Sequence, residues 1–108
     1  MSLLRRALPA ALLAMGLASP VLAQSTDPSF RLNNRTQAVI NEVYVSSSND
    51  GGWGSDRLGA NVLSPGQSLT IRLPNGQCVN DIKVVYANGR SQEWMRQNTC
   101  QLTDINIQ

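Results

Sequence analysis

The residues most able to bind a ligand lie in one polar stretch, residues 46–63, with the sequence SSSNDGGWGSDRLGANVL. Asn49, Asp50 and Asp56 carry oxygen atoms of the kind that Ca²⁺ prefers, although their spacing does not match an EF-hand loop. Trp53 could stack a sugar ring, or it could fold inward and pin the loop against a sheet. This stretch, here called the tryptophan loop, is therefore either a loop packed by its own side chains or a binding loop for calcium or carbohydrate.

Groups for catalysis are scarce. The sequence contains no histidine, which excludes a Ser-His-Asp or Cys-His nucleophile and an imidazole acid or base. Hydrolysis of a glycoside by two carboxylates is the remaining alternative, with Asp56, Asp81 and Glu93 as candidates, but no pattern brings two of them together. We therefore expect a protein that is not an enzyme, with no catalytic residue, no cofactor and no assigned metal.

Cys78 and Cys100 are the two cysteines of the sequence. An even number of cysteines in an exported chain favours a structural disulfide, and we predict that these two residues form it. Their spacing is not C-x-x-C, and without histidine there is no second ligand type for zinc or copper. The bridge would contribute on the order of 3 kcal/mol to stability.

The start of the sequence has the layout of a helical secretory signal peptide over residues 1–23. Arg5 and Arg6 precede an apolar run that is shorter than the roughly 20 residues of a membrane-spanning helix. We predict cleavage between Ala23 and Gln24 and a secreted or periplasmic mature protein that does not associate with a membrane. Export by the general secretory or the twin-arginine route remains open.

Charge gives little support for a polyanionic partner. Arg5 and Arg6 account for the formal net charge of +2, so residues 24–108 have as many acidic as basic side chains. A neutral domain lacks the electrostatic attraction that nucleic acids and anionic membranes require. We expect no nucleic acid as partner, and instead an unidentified protein or a component of the cell envelope.

Short alternating runs of apolar residues, separated by turn signals, continue to the end of the chain and predict six to seven strands. Residues 24–29 are predicted as a flexible leader and residues 30–108 as a single β domain. The predicted strands cover residues 30–33, 38–46, 68–73, 78–87, 91–95 and 100–107, with a brief extended piece within 58–63. The fold class is all-β, a small antiparallel β-sandwich or open barrel.

One predicted strand, residues 38–46, has apolar side chains of both parities. Val43 and Val45 share one face, whereas Ile40 and Tyr44 share the other. This mixed pattern predicts a strand that is covered on both sides.

Two short motifs, WGSDRL at residues 53–58 and CVNDI at residues 78–82, occur here together. With them the chain resembles a family of small exported bacterial proteins of unassigned function. The resemblance implies an export signal and a compact β domain, and it carries over no catalytic residue. In that pattern Asp56 and Asp81 are paired with the tryptophan loop, and we hypothesise that Asp81 holds the loop through hydrogen bonds or a contact with Arg57. The candidate loop site, structural or ligand-binding, consists of Asp50, Trp53, Asp56 and Asp81.

Overall fold

The computed structural model describes residues 25–108, so the predicted signal peptide and its cleavage site lie outside the described residues. Six strands form two three-stranded sheets that pack against each other, with the orders β3-β1-β6 and β2-β4-β5. The strands are β1 (Phe30–Asn34), β2 (Ile40–Ser47), β3 (Ser68–Ile71), β4 (Val79–Tyr86), β5 (Ser91–Asn98) and β6 (Asp104–Ile107). This arrangement confirms the predicted all-β class.

Strand direction differs from the prediction in one pair. Strand β1 pairs with β3 antiparallel but with β6 parallel. Parallel neighbours need a long crossover connection. Here the connection is the chain between β1 and β6, which includes all three strands of the other sheet. The first sheet is therefore mixed rather than purely antiparallel.

The mixed parity of the second strand has a local cause. The register of β2 against β4 shifts between Ile40 and Glu42, as an extra residue in a β-bulge produces. This shift places Ile40 on the same buried side as Val43 and Val45, all of which are at most 2% exposed. The strand therefore has one core face, and its other face is partly covered as well, since Glu42, Tyr44 and Ser46 are half-buried, which agrees with the predicted cover on both sides.

The core lies between the two sheets and contains buried side chains from every strand except β5, whose partly buried Trp94 packs against it. Leu32 and Ile107 of the first sheet and Ile82 and Val84 of the second are fully buried. The core cluster consists of Phe30, Leu32, Ile40, Val43, Val45, Leu58, Leu63, Ile71, Leu73, Ile82, Val84 and Ile107. Leu58 and Leu63 come from the tryptophan loop, so both ends of its second half are anchored in the core.

The end of the chain differs from the single strand predicted over residues 100–107. Strand β5 continues to Asn98, and a short 3-10 helix, Thr99–Gln101, separates it from β6. The Asn98 side chain accepts a hydrogen bond from the Cys100 backbone N–H (3.1 Å), which caps this turn as asparagine commonly does. The turn lets the chain leave one sheet and join the other.

The predicted disulfide between Cys78 and Cys100 is present, with an S–S distance of 2.10 Å. Cys78 directly precedes β4, and Cys100 lies in the 3-10 helix between the two sheets. The bridge therefore ties the second sheet to the segment that leads into β6.

Part of the predicted flexible leader contacts the domain. Pro28 is buried, and the carbonyl oxygen of Thr26 accepts a hydrogen bond from the Gly76 N–H (2.7 Å). Ser29 Oγ accepts another from the Leu73 N–H (3.1 Å). These contacts hold residues 26–29 beside the turn that follows β3.

A buried asparagine at the end of β1, Asn34, holds the turn that leads into β2. The Asn34 side chain is fully buried, and its Nδ2 donates to the carbonyl oxygens of Ala38 (2.8 Å) and Leu63 (3.0 Å). Its Oδ1 accepts from the backbone and hydroxyl of Thr36. All its hydrogen-bonding groups are thus satisfied, as burial requires, and the end of the tryptophan loop is tied to β1.

Within residues 25–108 no helix has the length and apolar character needed to cross a membrane.

Candidate functional site

The tryptophan loop covers the outer edge of β2, which is an edge strand of the second sheet. Ile40 and Leu63 exchange two backbone hydrogen bonds (2.8 and 3.0 Å), and the Arg57 N–H donates to the Val43 carbonyl oxygen (2.7 Å). Exposed strand edges promote pairing with other chains, so proteins commonly cover them. The second half of the loop, which was predicted as a brief extended piece, performs this role with a single bridge at Leu63.

Asp56 acts on the backbone of this same edge. One carboxylate oxygen accepts hydrogen bonds from the Val43 N–H and from the Leu58 N–H, both at 2.9 Å. These bonds satisfy an edge amide of β2 and the amide of a buried leucine. Asp56 is therefore engaged with the fold through this oxygen.

Arg57 connects the two sheets. Its Nη2 donates to the Val45 carbonyl oxygen (3.0 Å) and its Nη1 to the Arg72 carbonyl oxygen (3.3 Å). Val45 belongs to β2, whereas Arg72 directly follows β3. The guanidinium thus joins both layers, and the hypothesised contact between Arg57 and Asp81 is not among these bonds.

Asp81 holds the beginning of the tryptophan loop. Its carboxylate accepts hydrogen bonds from the Ser48 hydroxyl (2.6 Å) and from the Arg96 backbone N–H (2.9 Å). Arg96 has a φ of 55°, in the left-handed region, where the register of β4 against β5 shifts. The hydrogen bond from Ser48, followed by that from Arg96, lowers the pKa of Asp81 below its ordinary value of 3.8. Asp81 therefore joins the loop to a bulge in β5 through hydrogen bonds.

Trp53 lies outside the core, beside the outer face of the second sheet. The ring is half-buried, and the Lys83 ammonium lies 5.7 Å from its centroid and 5.6 Å from that of Tyr44. Such distances allow a cation–π interaction. In the strand register, Lys83 of β4 lies opposite Tyr44 of β2 on one side and Glu93 of β5 on the other. Side chains from β2, β5 and the tryptophan loop therefore lie around one cation.

Tyr44 has its hydroxyl group fixed by a neighbour on the same strand. The phenol donates a hydrogen bond to the Glu42 carboxylate, and this bond raises the pKa of Tyr44 above its ordinary value of 10.0. A phenol is neutral at physiological pH even at its ordinary pKa, and the raised pKa extends the neutral range upward. The ring is thus held as an uncharged surface beside Lys83.

Trp53 also lines two clefts that adjoin each other. Both clefts include Ser46, Asp50, Gly52 and Trp53. The larger, about 430 Å³, extends to Ser47, Ser55 and Gln77 and is here called the Gln77 cleft. The smaller, about 230 Å³, extends to Asp81, Glu93 and Met95 and is called the Glu93 cleft.

The predicted carboxylates divide between different surroundings. Asp50, Asp81 and Glu93 line the Glu93 cleft, whereas Asp56 is bonded to the edge of β2. A carboxyl group acting as general acid needs a raised pKa, but that of Asp81 is lowered. Over residues 25–108, no three His, Cys, Asp or Glu side chains group together in a way that could hold a metal ion.

The sequence did not single out Lys83 or Tyr44 as a site residue. Their alternation with buried neighbours assigns each to an outer face, but only the register of β2 against β4 brings them together. The contact with Trp53 depends in addition on the path of a long loop. No signal in the sequence reports that path.

Comparisons with protein-family models, with curated proteins and with solved structures gave no match. The resemblance to small exported bacterial proteins therefore stays a prediction. The function has to be inferred from the residues around Trp53.

Proposed function

We propose that this protein is an exported, non-catalytic domain that binds carbohydrate on the outer face of the second sheet, at Trp53. One observation carries the proposal: a small domain with two tryptophans has one of them half-buried outside its core. Small domains bury a low fraction of their surface, so a large apolar ring left outside the core contributes little of the stability it could supply, and a second role would account for its position.

The surroundings of Trp53 favour a sugar over an apolar ligand. An indole ring offers an apolar face for the C–H groups of a pyranose, and it commonly lies where apolar and wet surfaces meet. Side chains with hydroxyl and carboxylate groups line both adjoining clefts, and the Gln77 amide lines the larger one. A few well-placed polar groups around an aromatic surface are typical of a specific ligand site.

The charge of the domain agrees with this ligand class. Residues 24–108 are neutral, which gives no support for nucleic acid. The signal peptide predicted over residues 1–23, with cleavage between Ala23 and Gln24, would carry the domain to the periplasm or outside the cell. Polysaccharides of the envelope or the surroundings are available there.

Intrinsic fluorescence provides the test. In a Trp94→Phe variant, Trp53 is the single tryptophan, so its emission reports on the proposed site. We expect cellohexaose, xylohexaose or N-acetylchitohexaose to change this emission. We expect Trp53→Ala to lower the affinity measured by calorimetry by about tenfold or more. If no oligosaccharide of this panel gives heat or changes the emission, the ligand is not a carbohydrate.

Calcium is the second ligand that the tryptophan loop predicts, and the same assay separates it. Titration with Ca²⁺ up to about 1 mM covers the affinities of extracellular calcium modules. Because Asp56 already accepts two backbone hydrogen bonds, we expect no heat and no increase in melting temperature. Sugar binding that disappears on addition of a chelator would instead assign a metal to Asn49 and Asp50.

A further inference from the structure

We infer that the ligand is a linear oligosaccharide that passes over Trp53 and occupies both adjoining clefts, rather than a single sugar in one of them. This inference rests on the proposed carbohydrate binding and adds the length of the ligand to it.

The first observation is continuity. The two clefts share Ser46, Asp50, Gly52 and Trp53 in their linings. Clefts that share four lining residues meet along those residues, and Trp53 stands where they meet. A chain-like ligand can therefore run from one cleft into the other while its central unit contacts the indole.

The second observation is size. The Glu93 cleft has a volume of about 230 Å³, which is below the roughly 300–1,000 Å³ of sites that enclose a small molecule. The Gln77 cleft, at about 430 Å³, is near the lower end of that range. The Glu93 cleft is thus too small to enclose a ligand by itself and can serve as an extension of the Gln77 cleft, which favours an elongated ligand.

The third observation is that each cleft has its own group to hold a sugar. In the Gln77 cleft, Gln77 Nε2 donates to Asn80 Oδ1 (2.7 Å), which fixes the amide and leaves Oε1 as an acceptor. In the Glu93 cleft, the Glu93 carboxylate has no hydrogen bond from any part of residues 25–108 and is exposed. Sugar hydroxyls can donate to both acceptors, so the two ends of the ligand are recognised independently.

The test compares ligand length and cleft variants by calorimetry with the oxidised protein. For the oligosaccharide series that binds, we expect the hexasaccharide to bind at least about tenfold more tightly than the disaccharide. Glu93→Ala and Gln77→Ala should each lower the affinity for the hexasaccharide several-fold. Each should lower the affinity for the disaccharide by a smaller factor. Ser55→Ala, an exposed residue of the Gln77 cleft, replaces Gln77→Ala if the latter lowers the melting temperature.

The outcomes separate the two proposals. Equal affinity for disaccharide and hexasaccharide, with binding still lost in Trp53→Ala, would overturn the two-cleft ligand and leave carbohydrate binding intact. If variants in only one cleft lower the affinity for the hexasaccharide, the two-cleft ligand is likewise overturned and carbohydrate binding is left intact. Absence of binding for every length would overturn both.

Discussion

The outer faces of the two sheets differ in how their polar side chains are used. On the β3-β1-β6 face, the Arg31 guanidinium contacts Asp104 (2.8 Å), and Asn33 Nδ2 donates to Asp104 (3.0 Å) and to Asn106 (2.9 Å). On the β2-β4-β5 face, Lys83 lies beside the Trp53 ring, and the exposed carboxylates of Asp50 and Glu93 line the adjoining Glu93 cleft.

This difference separates a structural surface from one that can take a ligand. Groups that already bond to each other would have to break those bonds before they contact anything else, and the net gain of a new hydrogen bond is only about 1 kcal/mol. Groups that face water lose less when a ligand replaces it. The bonded groups of Arg31, Asn33, Asp104 and Asn106, here called the polar ladder, therefore stabilise the first sheet, and the second sheet presents the proposed binding face.

The largest expected effect comes from the disulfide, which joins the second sheet to the path into the first. Replacing Cys78 and Cys100 together by serine should lower the free energy of unfolding by about 3 kcal/mol, because the unfolded chain gains entropy. Urea denaturation measures this loss. An unchanged midpoint would mean that the two sheets hold together without the bridge.

A smaller loss is expected when the tryptophan loop is detached from the edge of β2. Asp56→Ala removes the acceptor for the amides of Val43 and Leu58, and we expect about 2 kcal/mol of destabilisation. Asp50→Ala is the matched control on the same loop. Asp50 is exposed, so its replacement should change stability by less than about 0.5 kcal/mol. Equal losses in both variants would contradict the structural role of Asp56.

Acid should weaken the hydrogen bonds that Asp104 accepts in the polar ladder. Hydrogen bonds from Asn33, Arg31 and Thr103 lower the pKa of Asp104 from 3.8 to about 2. A lowered pKa in the folded state gives stability that is complete above the unfolded value and is lost as the pH falls from about 4 to about 2. We expect the melting temperature to fall over this range, and less steeply in Asp104→Asn. Parallel curves for both proteins would remove Asp104 as a source of this dependence.

The smallest expected effect concerns Trp53 itself. Because the ring is half-buried outside the core, Trp53→Ala should cost less than about 1 kcal/mol of stability. Trp94 packs against the core, and its replacement by alanine should cost more. A loss in Trp53→Ala as large as that in Trp94→Ala would favour the alternative that Trp53 pins the loop.

Local patterns account for what could be predicted. Alternation in residues 68–73 and 78–87, and the Asn88-Gly89 turn, depend on neighbours in sequence, and the strands β3 and β4 and the hairpin follow from them. The disulfide followed from the number of cysteines. The parallel pairing of β1 with β6 joins residues more than seventy positions apart, and no local preference reports it.

The candidate site was predictable only in part for the same reason. Asp56 and Asp81 were found because their motifs are local, although their bonding partners, Val43 and Arg96, depend on register and on a bulge. The role of Lys83 needs β2, β4 and the tryptophan loop to be assembled. A one-residue change in register would have moved its side chain to the other face.

The parallel pairing of β1 with β6 also determines when the protein can complete its fold. Residues 104–107 supply the strand that neighbours β1, so a chain emerging from its N-terminal end has an incomplete first sheet until its last strand has followed. Contacts between residues so distant in sequence slow folding, because a long segment must be ordered first. If the chain crosses a narrow channel with its N-terminal end first, the first sheet can therefore close only after the last strand has emerged.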